Sequence, residues 1–268
     1  MRCSPTHFRT THGPALEADE ARHNLLLGIL TRGEEDASRA RFWSLGPGAR
    51  CAGQTPPHFI AIADLTEDDC DRLAHEVKDL DFLGCIGPAP IAARFAAALG
   101  REGLPHELQM PQRIHTLQTR PIYPGSPGHA RPMNLQDTET YVVWTIAFCV
   151  ECGLAEGPPS AEVLRAGAAD RQLYFWEVNE RPVAMASLTR ETANGANISL
   201  VYTPPSERGR GYGGSITAHV ADQIFTRGKR QAFLYTDLRN PVSNRVYEKI
   251  GFRPHCDTSS YLRLRAEI

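Results

Sequence analysis

Hydrophobic and polar positions change their period along the chain, and the changes outline a regular order of strands and helices. In the second half, residues 173–178 and 183–189 are short, mainly apolar runs that predict strands, and the turn-forming sequence Asn179-Glu180-Arg181-Pro182 between them predicts a hairpin. Other segments predict strands at 129–133, 197–203, 231–238 and 261–264, and helices from Asp137, at 160–169, at 215–225 and at 241–250.

The first half is less regular. Residues 1–14 carry two prolines, a glycine and no period, and are predicted to be a loose lead-in. The elements that follow are predicted in the order helix, hairpin, helix, strand, helix, strand: a helix at 15–30, hairpin strands at 41–45 and 58–63, a helix at 66–79, a strand at 82–86, a helix at 88–99 and a strand at 112–118. This order predicts a mixed α/β (α+β) fold.

Residues 120–132 contain four prolines and two glycines, which favours a connection between two folded regions. We therefore predict a first domain over residues 1–120, a linker at 121–132 and a second domain over 133–268.

Composition narrows the function classes. The chain has 268 residues, 41% hydrophobic and 22% charged, and a formal net charge of −2, so neither a nucleic-acid partner nor an anionic membrane surface is expected. No apolar run reaches the ~18 residues that span a bilayer. The N-terminus lacks the apolar stretch of a secretory signal, and seven scattered cysteines are typical of free thiols in a reducing compartment. We expect a cytoplasmic protein without a metal site.

A glycine-rich stretch, Arg208-Gly209-Arg210-Gly211-Tyr212-Gly213-Gly214, stands between a predicted strand and a predicted helix. Such a turn leaves free amides at the positive end of a helix, which is a phosphate-binding arrangement. A P-loop is excluded because no lysine precedes Ser215. The spacing of glycines 209, 211 and 214, followed by Asp237 after the next strand, leaves a nicotinamide-binding protein open.

A second motif follows the glycine-rich stretch along the chain. Asn240, Ser243, Tyr247, Gly251 and Phe252 follow the next strand with fixed spacing. Together with Arg208, Gly211 and Gly213, this pattern resembles the GNAT superfamily of acyl-CoA-dependent N-acyltransferases. The resemblance implies a GNAT fold in the C-terminal half. It also implies transfer of acetyl from acetyl-CoA, a co-substrate, to a primary amine of a small molecule, amino acid or peptide, by direct attack in a ternary complex. A non-catalytic acyl-CoA sensor or scaffold is the alternative, and a homodimer stays open.

The resemblance assigns cofactor contacts to the strand end, the loop and the following helix: Val201, Tyr202, Thr203, Arg208, Gly209, Arg210, Gly211, Tyr212, Gly213, Gly214, Asn240, Asn244 and Tyr247. Tyr247 is the candidate general acid, since a phenol with a pKa of ~10 is close in acidity to a thiol leaving group. Asn197 stands where many members of the family have a glutamate that acts as the general base. Glu177, Glu191 or a chain of waters are the alternatives for the base.

In the first half, the strand at 58–63 leads into Asp64 and the acidic run Glu67-Asp68-Asp69, which would repel a pyrophosphate. We interpret this half as a smaller, degenerate GNAT-like α/β domain that does not bind the cofactor. The alternative is an unrelated α/β cap.

Overall fold

The structure, a computed structural model, describes residues 1–264 apart from the side chain of Val242, and its fold is mixed α/β. Residues 265–268, the end of the predicted second domain, lie outside the described residues. Up to residue 117 the elements are β1 (Arg2–Cys3), α1 (Pro5–Glu17), α2 (Glu20–Glu35), β2 (Arg41–Ser44), β3 (Cys51–Gln54), β4 (Ile60–Ile62), α3 (Glu67–Val77), β5 (Gly84–Pro88), α4 (Ala89–Arg101) and β6 (His106–Leu117). They are followed by β7 (His129–Pro132), α5 (Thr138–Glu151), α6 (Ala161–Ala166), β8 (Leu173–Val178), β9 (Arg181–Thr189), β10 (Gly195–Tyr202), α7 (Tyr212–Thr226), β11 (Gln231–Asp237), α8 (Pro241–Ile250) and β12 (Arg253–Arg263).

The chain divides into two compact units. Unit 1 comprises residues 1–114, 235–239 and 254–268, and unit 2 comprises residues 115–234 and 240–253. The predicted boundary at 121–132 stays a prediction, although its last four residues form a strand, β7.

In unit 1 the strand order is β1-β2-β3-β4-β5-β12-β6. The pair β4 and β5 is parallel, with Ile60 opposite Cys85, and α3 makes the crossover between them. Aromatic and aliphatic side chains of the helices and of the sheet form the core, with Phe8 of α1, Trp43 of β2 and Phe95 of α4 almost fully inaccessible. Burial of this kind stabilises by about 25 cal/mol per Å² of apolar surface.

In unit 2 the strand order is β11-β10-β9-β8-β7. Here β10 and β11 are the parallel pair, with Gly195 opposite Gln231, and α7 connects them. The predicted hairpin of β8 and β9 is confirmed: Val178 pairs with Arg181, and Asn179 and Glu180 both have positive φ, of 50° and 60°. A two-residue turn with two positive φ angles matches the twist of the flanking strands. Both units therefore repeat one motif, strand, helix, parallel strand, helix.

Several boundaries in the first half were predicted wrongly. The expected lead-in is helix α1, whose first turn is capped by the Ser4 hydroxyl, and the expected helix at 15–30 is broken where Asp19 caps α2. Strand β3 was missed because Cys51-Ala52-Gly53-Gln54 has no polar alternation. It separates the two strands expected to pair, since β2 pairs with β3 and β3 with β4.

The closing strand expected at 261–264 is also longer than predicted. It spans Arg253–Arg263 as β12, and only its middle, Thr258 to Ser260, is buried. The exposed first residues of the strand carry no hydrophobic alternation that would mark them as β structure.

Candidate functional site

The glycine-rich loop connects β10 to α7 in unit 2, as the sequence predicted. Gly209 and Gly211 have φ angles of 78° and 83°, in the left-handed region that L side chains rarely adopt. Gly211 is the N-cap of α7 and offers no capping side chain. The amides of the first helical turn therefore have neither an intrahelical acceptor nor a side-chain cap, and the dipole favours an anion there.

The last two glycines of the loop allow close packing. A Cβ at Gly213 would lie 3.1 Å from Thr203 Oγ1, and one at Gly214 would lie 2.9 Å from Pro124 Cγ. Tyr212, directly before these two glycines, is buried and packs in the core of the unit. Side chains at 213 and 214 would therefore displace the neighbouring chain.

The neighbour at Gly214, Pro124, belongs to the predicted linker, which was not expected to contact the loop. Ser126 hydrogen-bonds through its hydroxyl to that of Ser215 on α7, and the amide of Ile122 donates to the carbonyl of Ile250 at 2.8 Å. Part of the predicted linker thus packs on α7 and on the end of α8. Its Pro- and Gly-rich composition is typical of connections and therefore did not predict this contact.

The end of β10 is irregular. Ser199 pairs with Ser187 and Tyr202 with Met185, so β10 contains one residue more than β9 across this stretch. Leu200 has a φ of 51°. A bulge of this kind leaves backbone groups unpaired, and it lies directly before Val201, Tyr202 and Thr203, the cofactor contacts that the resemblance assigns to the strand end.

Both arginines of the loop are engaged. Arg208 Nη2 is 2.5 Å from Glu151 Oε2, and its Nε donates to the carbonyl of Thr203 at 2.9 Å. Arg210 pairs with Glu207 at 3.0 Å. Glu151, at the end of α5, was not singled out from the sequence. A phosphate bound at the loop would have to share these cations with the two carboxylates.

Tyr247 lies on α8, half-buried, with its ring edge toward Phe252 at a centroid distance of 6.2 Å. Its hydroxyl makes no hydrogen bond with any residue in the described part of the chain. Burial, with a smaller contribution from the nearby Cys152 thiol, raises the pKa of the phenol above its ordinary value of 10. A raised pKa keeps the phenol protonated at neutral pH, as a general acid requires.

The two asparagines of the motif differ in what they do. Asn240 caps α8, since its Oδ1 accepts from the amide of Ser243 at 3.2 Å. Asn244 Oδ1 is buried and has no hydrogen-bond partner among residues 1–264. An unsatisfied buried acceptor costs about 1–3 kcal/mol, which points to a donor that arrives with a ligand.

None of the candidate bases stands out. Asn197 is 1% exposed and donates to Thr189 Oγ1 at 3.1 Å, so it is an interior amide. Glu177 is buried and held by Arg131, which also binds Asp137. Glu191 precedes β10 and pairs with Arg227 and Lys229, so an eight-residue strand separates it from the loop end.

The matching place in unit 1 is built differently. Helix α3 begins with a capping box of Thr66 and Asp69, and the buried Asp69 carboxylate also accepts from Arg50 Nε at 2.7 Å and Nη2 at 2.8 Å and from Arg72. Burial raises the pKa of Asp69, but the hydrogen bonds from Arg50, Thr66 and Arg72 lower it by more. The Asp69 carboxylate thus occupies the place at the N-terminus of α3 where a phosphate would bind. At the seventh residue of α4, where α8 has Tyr247, stands the fully buried Phe95.

Comparison with solved structures shows that the fold is of the GNAT type. A GNAT-family protein from Novosphingobium aromaticivorans is 18% identical over 94% of this chain and 99% of its own, with a TM-score of 0.59. A GCN5-related N-acetyltransferase from Kribbella flavida is 16% identical over 92% and 96%, with a TM-score of 0.61. A tandem GNAT protein from the clavulanic acid biosynthesis pathway is 13% identical over 85% and 83%, with a TM-score of 0.52.

Within this fold, residues 178–262 match the family model of FR47-like protein. The match contains the loop, α7, α8 and most of β12. No curated protein matches the chain at a significant level. Between residues 1 and 264, no helix has both the length and the apolar character to cross a membrane, and no cluster of three His, Cys, Asp or Glu side chains could hold a metal ion.

Proposed function

We propose that the protein is an N-acetyltransferase that moves the acetyl group of acetyl-CoA to a primary amine on a small molecule, amino acid or peptide. The observation that carries the proposal is the contrast between the N-termini of two helices in the same chain. Helix α3 is closed by Asp69, whereas α7 begins at the uncapped, exposed Gly211. Of these two helices, α7 is the one with free amides for a pyrophosphate, and it also lies in the segment that matches the FR47-like model.

The bulge of β10 supports the same proposal for the pantetheine arm. Unpaired backbone groups after Leu200 would pair with its amides as an added strand does. The orphaned Asn244 Oδ1 is a further acceptor for an amide N–H of the arm.

The proposed chemistry is a direct displacement. A neutral amine attacks the thioester carbonyl carbon, the C–N bond forms, and the C–S bond breaks as the tetrahedral intermediate collapses. The departing thiolate takes the proton of the Tyr247 hydroxyl, and the attacking nitrogen loses a proton to water. Because neither Glu177 nor Glu191 is free of ion pairs, we assign the base to solvent.

The test has a binding arm and a turnover arm. Calorimetry with acetyl-CoA measures binding, and thiol release in the presence of a panel of primary amines measures transfer, for the wild type and for Tyr247→Phe. We expect Tyr247→Phe to keep its affinity for acetyl-CoA and to lose about 100-fold or more in kcat, the usual weight of a general acid. Tyr261→Phe removes a hydroxyl from β12, outside the predicted site residues, and serves as the matched control.

Two results would count against the proposal in different ways. Binding of acetyl-CoA without transfer to any amine would favour a sensor or scaffold. Binding of a nicotinamide dinucleotide in place of acyl-CoA would mean that glycines 209, 211 and 214 form a dinucleotide loop.

A further inference from the structure

Unit 1 contains an open cleft of about 680 Å³ that no part of the proposed transfer reaction uses. Its lining comes from α2, the end of β5, α4, β6 and the start of β12: Arg22, Pro88, Pro90, Ile91, Arg94, Arg113, Pro254, His255, Cys256 and Asp257. All ten residues belong to unit 1, and none is among the predicted acyl-CoA contacts. A volume of this size accommodates a small organic molecule.

The place of the cleft in the motif is informative. It opens where the parallel strand β5 ends at Pro88 and α4 begins. Ligands of open α/β sheets bind outside the carboxyl ends of the parallel strands. In unit 2 the corresponding elements are β11 and α8, which carries Tyr247. Unit 1 has lost the open helix mouth of the motif but keeps a cleft at the strand end.

The charges around the cleft are unbalanced. Three arginines from three elements line it, against one carboxylate, Asp257. Asp257 is engaged by Arg113, with distances of 2.6 and 3.0 Å, and Arg22 pairs at 2.7 Å with Asp64, which is not part of the lining. His255 contacts Asp19 at 2.8 Å.

Arg94 differs from the other two arginines. Its Nε contacts only the carbonyl of Pro90, at 3.4 Å, and it forms no ion pair with any of residues 1–264. A guanidinium presents two parallel donors that match a carboxylate or phosphate group. Pro88, Pro90, Ile91 and Pro254 give the same cleft an apolar wall.

We propose that this cleft binds a small organic anion, an oxyanion head on a compact apolar body, with Arg94 as the fork that receives the head. The head is a phosphate or a carboxylate. The apolar body lies against the prolines and Ile91.

Calorimetric titration of the full chain with phenyl phosphate, inorganic phosphate and benzoate tests the proposal. We expect phenyl phosphate or benzoate to bind with a Kd of about 0.1–1 mM, and inorganic phosphate to bind more weakly because it lacks the apolar body. Arg94→Gln should weaken binding about 10- to 100-fold, the range for a charge-assisted hydrogen bond. The matched control is Arg101→Gln, on the same helix, where the exposed arginine pairs with Asp71 and does not line the cleft.

A second variant is expected to raise the affinity, which distinguishes a change in the binding site from a loss of folding. Asp257→Asn removes the carboxylate that competes for Arg113, so it should tighten binding of the same probe about tenfold. The proposal is overturned if no probe binds the wild type up to about 10 mM, if Arg94→Gln and Arg101→Gln bind alike, or if Asp257→Asn fails to bind more tightly. Because the probes contain no CoA and the readout is binding, these results are independent of acetyl transfer.

Discussion

Gly211 offers the sharpest test of the proposed phosphate site, because a matched glycine exists elsewhere in the chain. Gly211 precedes α7 with a φ of 83°, and Gly103 follows α4 with a φ of 82°. Both are exposed, and a Cβ would meet nothing closer than 3.5 Å at Gly211 and nothing within 4 Å at Gly103. Replacing either by glutamate imposes the same left-handed strain, about 1–2 kcal/mol.

The effect of the new charge on stability differs between the two sites. At the N-terminus of α7 a carboxylate interacts favourably with the helix dipole by about 0.3–1 kcal/mol, and at the C-terminus of α4 it is unfavourable by a similar amount. We therefore expect Gly211→Glu to be the more stable variant. Its Tm should fall by at most a few degrees, at about 2–4 °C per kcal/mol for a chain of this size.

Acetyl-CoA binding should show the reverse order. A glutamate about 4 Å from a phosphate charge costs about 4 kcal/mol at an effective dielectric constant of 20, so Gly211→Glu should weaken binding by at least about 100-fold. Gly103→Glu should bind as the wild type does. Thermal unfolding and calorimetry on the two variants give both numbers. Wild-type affinity in a folded Gly211→Glu variant would show that phosphate does not bind at the α7 mouth.

Further predictions concern the two halves of the motif. Saturation with acetyl-CoA should give one molecule per chain, because Asp69 fills the α3 mouth; two per chain in equilibrium dialysis would refute this reading. Asp69→Asn should lower the free energy of unfolding in urea titrations by about 1–3 kcal/mol, since it weakens the buried hydrogen bonds that Asp69 accepts from Arg50 and from the first turn of α3. The pKa of Asp69 is lowered by its hydrogen bonds, so its contribution is present above the unfolded pKa of about 3.9 and is lost as pH falls further; an acid-unfolding profile unchanged in Asp69→Asn would contradict this. Asn244→Leu should raise Tm, because it removes an unsatisfied buried acceptor, while it weakens acetyl-CoA binding; a loss of both would mean that Asn244 is structural. The pKa of Tyr247 is raised, so the alkaline limb of kcat should lie above pH 10, and a limb at lower pH would argue against Tyr247 as the acid.

Many elements of the fold can be predicted from short stretches of the sequence. The hairpin of β8 and β9, the acidic N-terminus of α3 and the helix at 241–250 were predicted with nearly the bounds observed. Their signals are turn residues, caps and hydrophobic periods, each of which acts over a few neighbouring positions. The glycine loop and the Tyr247 segment also follow from short spacings, and the order of the two gave the GNAT-type fold.

Other features could not be read from the sequence because their causes lie far apart in the chain. In the sequence, Asp69 resembles a surface acid, and only the fold shows that it is buried and hydrogen-bonded to Arg50. Residues 122–126 resemble a linker, and only the fold shows that Pro124 packs next to Gly214. The two-strand prediction at 41–63 failed for a similar reason, since three of the four residues of β3 are small and only pairing in the sheet defines the strand.

The sequence by itself thus determined the kind of fold and the positions of loop and tyrosine, because local chemistry selects turns, caps and helices. Only the tertiary structure decided how the N-terminus of α3 is closed, which carboxylates are already paired, and that Arg94, of the three arginines that line the cleft, forms no ion pair with any of residues 1–264. The physical reason is that pairing and burial depend on residues brought together by folding, and separation along the chain carries no record of them.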